Sequence, residues 1–246
     1  MTEQRGGRSG RPRAVALSDE HDETEARYAE GDAAAWERPL RESELFFPDR
    51  RDMFNFIDET KVRYLRPLLP PGGRALEVGA GSGRLLIRLG RERPYRLVAL
   101  DYAPYAMRAV RENYRRAGAT GSVLFGDARG LPFPDRSFDL VLSGGLLEHF
   151  RDPAPVLREM ARVLRPGGLC YADIVPRKVS LYRWAALARE AGLRDVRIVA
   201  AGVYPPYTLP GHERLVWKYR SLVRALDGTP VADLLGFFYL LTGTRA

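Results

Sequence analysis

From residue 51 onward the apolar positions switch repeatedly between a helical and an extended period. Phe54, Ile57, Val62, Leu65, Leu68 and Leu69 recur at near-helical spacing, and Pro70-Pro71-Gly72-Gly73 ends that segment. Ala75 to Val78 then predicts a short buried strand, 83–92 a helix, Leu97 to Leu100 a second strand, and 104–117 a helix stopping at Gly118. Val123 to Phe125 and Phe138 to Leu142 read as the third and fourth strands. A helix over 153–165 follows, closed by Pro166-Gly167-Gly168, and Leu169 to Val175 is the fifth strand. The remainder predicts a helix at 181–192, a strand from Val196 to Val203, a Pro/Tyr/Gly stretch, a helix at 212–226 and a final apolar strand from Leu234 to Leu241.

Strands alternating with helices, most of the strands uninterrupted apolar runs, predict an α/β fold with a mostly parallel sheet covered on both faces. The right-handed crossover rule sets the winding, and ligands in such sheets bind at the carboxyl ends of the strands near the switch point. No internal repeat and no second apolar core are legible. Residues 1–20 are polar and Gly/Arg-rich and read as a flexible tail. Residues 22–48 are mixed, with scattered Tyr28, Trp36, Phe46 and Phe47.

The 246 residues suffice for one well-buried domain with additional elements, and 45% apolar with 28% charged residues is ordinary for a globular protein. Cys170 is the single cysteine, which excludes an internal disulfide and a cysteine-based zinc cluster and fits a reducing, cytoplasmic setting. No run reaches the roughly 18 apolar residues that span a bilayer, and no apolar stretch follows the N-terminal arginines, so neither a span nor a secretory signal is expected. A net charge of +8 and a pI of about 9.8 raise the question of a nucleic-acid partner. Of the 39 basic residues 36 are arginine, a skew that biased codon usage also produces, and Arg5, Arg8, Arg11 and Arg13 sit in the Gly-rich tail. Arg108, Arg111 and Arg115 share one face of a predicted helix and are expected to be a solvated outer face.

The loops after strands one to four carry the chemistry. In Glu77-Val78-Gly79-Ala80-Gly81-Ser82-Gly83, alternate glycines let the backbone turn sharply and a ligand approach the main chain. A dinucleotide fingerprint needs glycine at its first, third and sixth positions; counted from Gly79 the sixth is Arg84, so this loop departs from it. Asp101, ending the second strand, can accept both ribose hydroxyls of an adenosine ligand, and capping the helix that begins after Ala103-Pro104 is its competing role. In Gly126-Asp127-Ala128 a carboxylate and the next N–H can read the amine and ring nitrogen of adenine; a plain β-turn aspartate is the alternative. After strand four, Ser143-Gly144-Gly145-Leu146-Leu147-Glu148-His149 is small and open, and His149 is a candidate proton acceptor or a histidine packed at a helix end.

Leu76-Glu-Val-Gly-Ala-Gly-Ser-Gly83, Ala99-Leu-Asp101, Gly126-Asp-Ala128, residues 131–139, Leu147-Glu-His149 and Arg162-Val-Leu-Arg-Pro-Gly-Gly168 occur in this order. The set resembles the class I S-adenosylmethionine-dependent methyltransferases of the small-molecule type, methyltransferase type 11, similar to the ubiquinone/menaquinone-biosynthesis group, over about residues 60–243. The resemblance implies a Rossmann-like doubly wound seven-stranded sheet whose last strand is antiparallel and inserted between the fifth and sixth. It also implies a helical N-terminal extension and a helical insertion before the last strand. Residues 21–60 would be a cap, 61–246 the methyltransferase domain, and 204–230 a substrate lid.

The resemblance further implies S-adenosyl-L-methionine as cofactor and S-adenosyl-L-homocysteine as product. Gly79, Ala80, Gly81 and Gly83 would line its loop, with Glu77 on the methionine amino group. Asp101 and Tyr102 would lie at the ribose, Asp127 and Ala128 at the adenine, and Ser143 at the methionine portion through its backbone. One subgroup binds a metal through Glu-x-x-Glu-His at the fourth loop; here the first glutamate position is Gly145, and Glu148 with His149 is a poor divalent site, so no metal is expected. The expected activity is in-line methyl transfer to an O or N acceptor on a small molecule, with His149 as base. The aromatic residues of 22–60 and of Tyr204 through Tyr219 suit a flat or apolar acceptor. Two other readings compete. A nucleic-acid or protein methyltransferase is one, although Ser-Gly-Gly-Leu replaces the Asn/Asp-Pro-Pro-aromatic loop of base-amine enzymes. A non-catalytic cofactor-binding protein is the other.

Overall fold

The computed structural model describes residues 37–175, 180–204 and 211–246. The tail at 1–20, Tyr28, Trp36 and the Pro205-to-Tyr207 part of the predicted insertion lie outside the described residues. The elements are α1 (Met53–Leu65), β1 (Gly73–Val78), α2 (Arg84–Glu92), β2 (Tyr95–Asp101), α3 (Pro104–Ala117), β3 (Gly121–Phe125) and β4 (Phe138–Gly144). They continue with α4 (Ala154–Val163), β5 (Leu164–Ile174), α5 (Leu181–Glu190), β6 (Leu193–Ala201), α6 (His212–Lys218), α7 (Arg220–Ala225), α8 (Pro230–Leu235) and β7 (Phe238–Arg245).

The seven strands form one sheet in the order β3-β2-β1-β4-β5-β7-β6. β1 to β5 pair in parallel, and β7 runs antiparallel between β5 and β6. The expected seven-stranded arrangement with its inserted last strand is therefore present. Strand side chains alternate between two cores, as the pleat requires. Ala75, Leu97, Ala99, Leu140, Leu142, Tyr171 and Leu240 meet Leu65 of α1, Leu85, Leu86 and Leu89 of α2, and Val110 and Tyr114 of α3. Leu76, Val78, Val98, Val141, Cys170, Ala172 and Leu241 meet Val156, Leu157 and Met160 of α4 and Trp184 and Ala188 of α5. Cys170 is fully buried in this second core. Residues Gly126 to Ser137 join β3 to β4 without a helix. Arg162 holds this loop through the carbonyls of Leu131 and Phe133 and the carboxylate of Asp135.

Beyond shifts of a few residues at other ends, three elements differ from the periodicity. The helix expected to end at Pro166-Gly167-Gly168 ends at Val163, and that tripeptide lies inside β5. Gly167 takes a φ of 77° and the β4–β5 register shifts between Phe138 and Leu140, so the turn signal marks a bulge. The helix expected over 212–226 breaks at Tyr219, which has φ −104° and ψ 21°. The strand expected at Leu234 to Leu241 is displaced: Pro230 opens α8, and β7 begins at Phe238. Pro at the first helical turn favours a helix there, and a short apolar run carries no period that separates the two states. Gly236 makes the junction, because a Cβ there would lie 2.5 Å from the Ala232 carbonyl oxygen.

α1 is attached to the end of the chain by aromatic packing. Phe56 is fully buried, with Tyr204 at 5.7 Å and Trp217 at 5.9 Å, both edge-on. Phe56→Ala is expected to cost about 3–5 kcal/mol of stability, measured by urea unfolding.

Candidate active site

Strand order reverses between β1 and β4, so the loops leaving their carboxyl ends diverge and leave a crevice. The glycine loop and Gly144, at the end of β4, form part of its walls. Gly79, Gly81 and Gly83 have φ of 65°, 52° and 66°, a region that L side chains rarely adopt. A Cβ on Gly79 would lie 2.7 Å from Leu146, whereas one on Gly81 would meet nothing within 4 Å. Gly79 is thus small for packing, and Gly81 is small where the crevice is open. That crevice is a cavity of about 390 Å³ whose lining includes Phe54, Asp58, Lys61, Glu77, Gly79, Ala80, Gly81, Arg84 and Gly144.

Asp101 closes the loop from β2. Its Oδ2 accepts from the Gly81 N–H at 2.7 Å and its Oδ1 from the Ala103 N–H at 2.8 Å. The second bond is a local turn onto Ala103, the N-cap residue of α3, and that helix start carries no side-chain cap bond, so Asp101 does not cap it. Burial pushes the Asp101 carboxyl above its ordinary range, against these backbone donors. Tyr102 stacks tilted on Phe125 at 5.2 Å, making an aromatic wall beside it. Asp127 is held by Arg129 through its side chain and backbone N–H, with the closest bond at 2.7 Å. Burial works to raise the Asp127 carboxyl, but Arg129 outweighs it and keeps it below the usual range. Ala128 is buried in the core.

The fourth loop divides its residues. Ser143 is fully buried and its Oγ has no hydrogen-bond partner. Glu148 is buried; its Oε1 accepts from the Val175 N–H at 2.9 Å and its Oε2 has no partner. Burial pushes the Glu148 carboxyl up to about 7. His149 is exposed, ends the single 3₁₀ turn Leu147–His149, and is not among the residues lining the cavity.

Sequence reasoning missed the charged roof of the cavity. Lys61 of α1 pairs at 2.9 Å with Asp173 of β5, and the Asp173 side chain is 1% exposed. Tyr171 donates to the same carboxylate oxygen at 3.3 Å. Burial works to lower the Lys61 ammonium, but Asp173, Asp58 and Glu77 outweigh it and keep it protonated above its ordinary range. Gly144 lies opposite Asp173 in the sheet, and a Cβ there would crowd Asp173 Oδ2 at 3.1 Å. The signal was available: one acid inside an apolar strand, and one of only three lysines on the preceding helix.

Arg84, used only to exclude a dinucleotide loop, is an anchor. Its guanidinium donates to Asp58 at 3.0 Å, to the Ser43 carbonyl at 2.8 Å and to Asn55 at 2.7 Å. Asn113 accepts from the Phe46 N–H at 2.7 Å and donates to the carbonyls of Glu44 at 2.7 Å and Ser82 at 2.8 Å. Residues 43–47 are thereby strapped to the glycine loop.

Glu77 is buried beneath this roof and its Oε2 has no partner. Burial, opposed by Lys61, pushes it up to about 8. Its protonated form favours the fold, so that stability is fully present below the usual value of 4.5 and is lost as pH rises through about 8. Melting temperature is expected to fall across that window, and Glu77→Gln to flatten the fall. Lys61→Met strands the Asp173 carboxylate and is expected to cost about 3–5 kcal/mol in urea unfolding, much of it restored in Lys61→Met/Asp173→Leu.

The segment 76–172 matches the family model described as methyltransferase domain. A 27-O-demethylrifamycin SV methyltransferase of Amycolatopsis mediterranei is 33% identical over 141 residues, 55% of this chain and 52% of that protein. A demethylmenaquinone methyltransferase of Roseiflexus castenholzii is 41% identical over 100 residues, 40% and 41% of the two chains. The chain spans about half the length of the curated relatives it matches. Among solved structures, a SAM-dependent methyltransferase from Thermotoga maritima superposes with a TM-score of 0.57 at 22% identity, covering 78% of this chain and 90% of that one. That likeness is one of fold. Residues 76–172 thus match a methyltransferase domain, and the fold around them is that of the solved methyltransferase.

Proposed function

We propose that this chain binds S-adenosyl-L-methionine at the glycine loop and transfers its methyl group in line to an oxygen or nitrogen of a small molecule, leaving S-adenosyl-L-homocysteine. The observation that carries the reading is the juxtaposition in one cavity of a glycine with open space above it, a buried carboxyl group with an unpartnered oxygen and a buried ammonium. These residues fit a zwitterionic amino-acid end: Glu77 Oε2 for the amino group, Lys61 for the carboxylate. Asp101 keeps lone pairs for ribose hydroxyls next to Tyr102. Asp127 and Ala128 would take the adenine edge once Arg129 yields. Gly79, Ala80, Gly81 and Gly83 supply backbone, and Ser143 borders the methionine portion.

When bound, the cofactor supplies a methyl group already activated on a sulfonium, so the protein's own work is positioning, water exclusion and proton removal. The strap 43–47 and Phe54 cover the cavity against water. Residues 21–60 serve as cap and 204–230 as lid over the domain at 61–246. The O-demethylated and quinone substrates in the relatives' names support a small-molecule acceptor, and the single buried Cys170 supports a cytoplasmic setting. His149 is proposed as the base, with the buried Glu148 as the alternative because burial pushes its carboxyl up to about 7.

Calorimetric titration with S-adenosyl-L-methionine is expected to show binding that Asp101→Ala weakens roughly ten- to hundredfold. No binding, or binding indifferent to Asp101→Ala, overturns the reading. Screening small-molecule extracts with methyl-labelled cofactor identifies the acceptor. His149→Ala is then expected to lower kcat by about a hundredfold or more. Full turnover removes His149 from the role, and Glu148→Gln tests its neighbour.

A further inference from the structure

Away from the glycine loop, a second cavity of about 390 Å³ is lined by Arg51, Arg214, Trp217, Lys218 and Arg220. Among the described residues none of these four cations is paired with an acid. The acids beside them are engaged elsewhere. Glu213 accepts from the Met53 N–H at 3.2 Å, and Asp52 accepts from the Asn55 N–H and pairs with Arg50. Arg220 donates to the Trp217 carbonyl, and Lys218 lies over the Tyr219 ring. Clustered cations without counter-charge repel one another, an arrangement that an anionic partner relieves.

An apolar stripe runs beside the cations. Tyr219 donates its N–H to the Leu215 carbonyl and Val223 donates to that of Tyr219, so helical turns continue across the α6–α7 break. Leu215, Tyr219 and Leu222 therefore share one face, at i, i+4 and i+7. They are 45%, 48% and 62% exposed, while Val216, Trp217 and Val223 face inward against α1. Arg214 and Lys218 stand one residue back along the same turns. A basic row flanking an apolar row, with Trp217 between protein and solvent, is the pattern of a segment lying in a membrane interface. No described helix is long and apolar enough to cross a membrane, so this contact is peripheral.

We propose that this face docks on a bilayer bearing anionic headgroups, with lipid phosphates in the basic cavity and Leu215, Tyr219 and Leu222 entering the headgroup–acyl boundary. A polyanion without an apolar phase satisfies the cations but leaves the apolar stripe in water. A second copy of the chain brings the same positive charge to the contact. The bilayer satisfies both rows, and it does so whether or not the chain transfers methyl groups.

The test is co-sedimentation of the full chain with vesicles of phosphatidylcholine alone or mixed with phosphatidylglycerol. The chain is expected to partition onto the mixed vesicles and to be released by added salt. Arg214→Gln/Lys218→Gln is expected to lower that partition roughly thirtyfold, about fivefold per cation. Leu215→Ser/Leu222→Ser is expected to lower it as well. All four positions are exposed, so the circular dichroism spectrum and melting temperature remain those of the parent chain. Equal partition to both vesicle types, none to either, or partition that neither variant changes overturns the proposal. So does a dimer, seen by sedimentation, that the same variants abolish.

Discussion

A buried charge persists only when it is paired, and the Lys61–Asp173 contact is where that requirement organises the molecule. Asp173 sits on a central strand with apolar neighbours, so its carboxylate needs a cation within reach. Lys61 reaches it from α1, and the pair ties that helix to β5 opposite Gly144. The helix then brings Phe54 and Asp58 to the same cavity, and Asp58 takes Arg84 and Arg88 at its rim. Gly144 is small where the Asp173 carboxylate crowds the space a side chain would need.

The same cluster sets the electrostatics of the crevice. Two acids, Glu77 and Glu148, are buried with an oxygen each unpartnered, and both are pushed toward neutrality. Such groups cost stability when ionised and are retained where a ligand or a proton is handled. Lys61 supplies the opposing charge without neutralising Glu77, because Asp173 holds it. The cavity thus presents both signs of charge a short distance from an open glycine backbone.

The N-terminal strap follows from hydrogen-bond satisfaction. Asn113 and Asn55 are almost completely buried amides, and each spends its oxygen and nitrogen on chain segments far apart in sequence. Leaving such groups unpaired is costly, so residues 43–50 are drawn onto α1, α2 and α3. The cover of the cavity is therefore built from polar bonds, whereas the α1–α6 contact beside it is aromatic.

Much of this was legible along the chain. Uninterrupted apolar strands, helical spacing between them and three glycines after β1 depend on local backbone geometry and local period, which sequence determines directly. The resemblance carried by the ordered motifs added the inserted antiparallel strand, which no periodicity contains. Other features were settled only in three dimensions. Pro166-Gly167-Gly168 signals a turn equally well at a helix end or a bulge, and pairing with β4 decided for the bulge. The apolar run around Leu234 suits helix or strand, and the register against Ala201 and Ile174 decided where β7 begins. His149 suggests itself as a base because histidine titrates near neutrality, and only burial, which the sequence does not show, brings Glu148 to about 7 as well. Lys61, Asp173 and Arg84 acquired their roles from partners distant in the chain. A charge's partner is a property of packing, and packing is what the tertiary structure alone supplies.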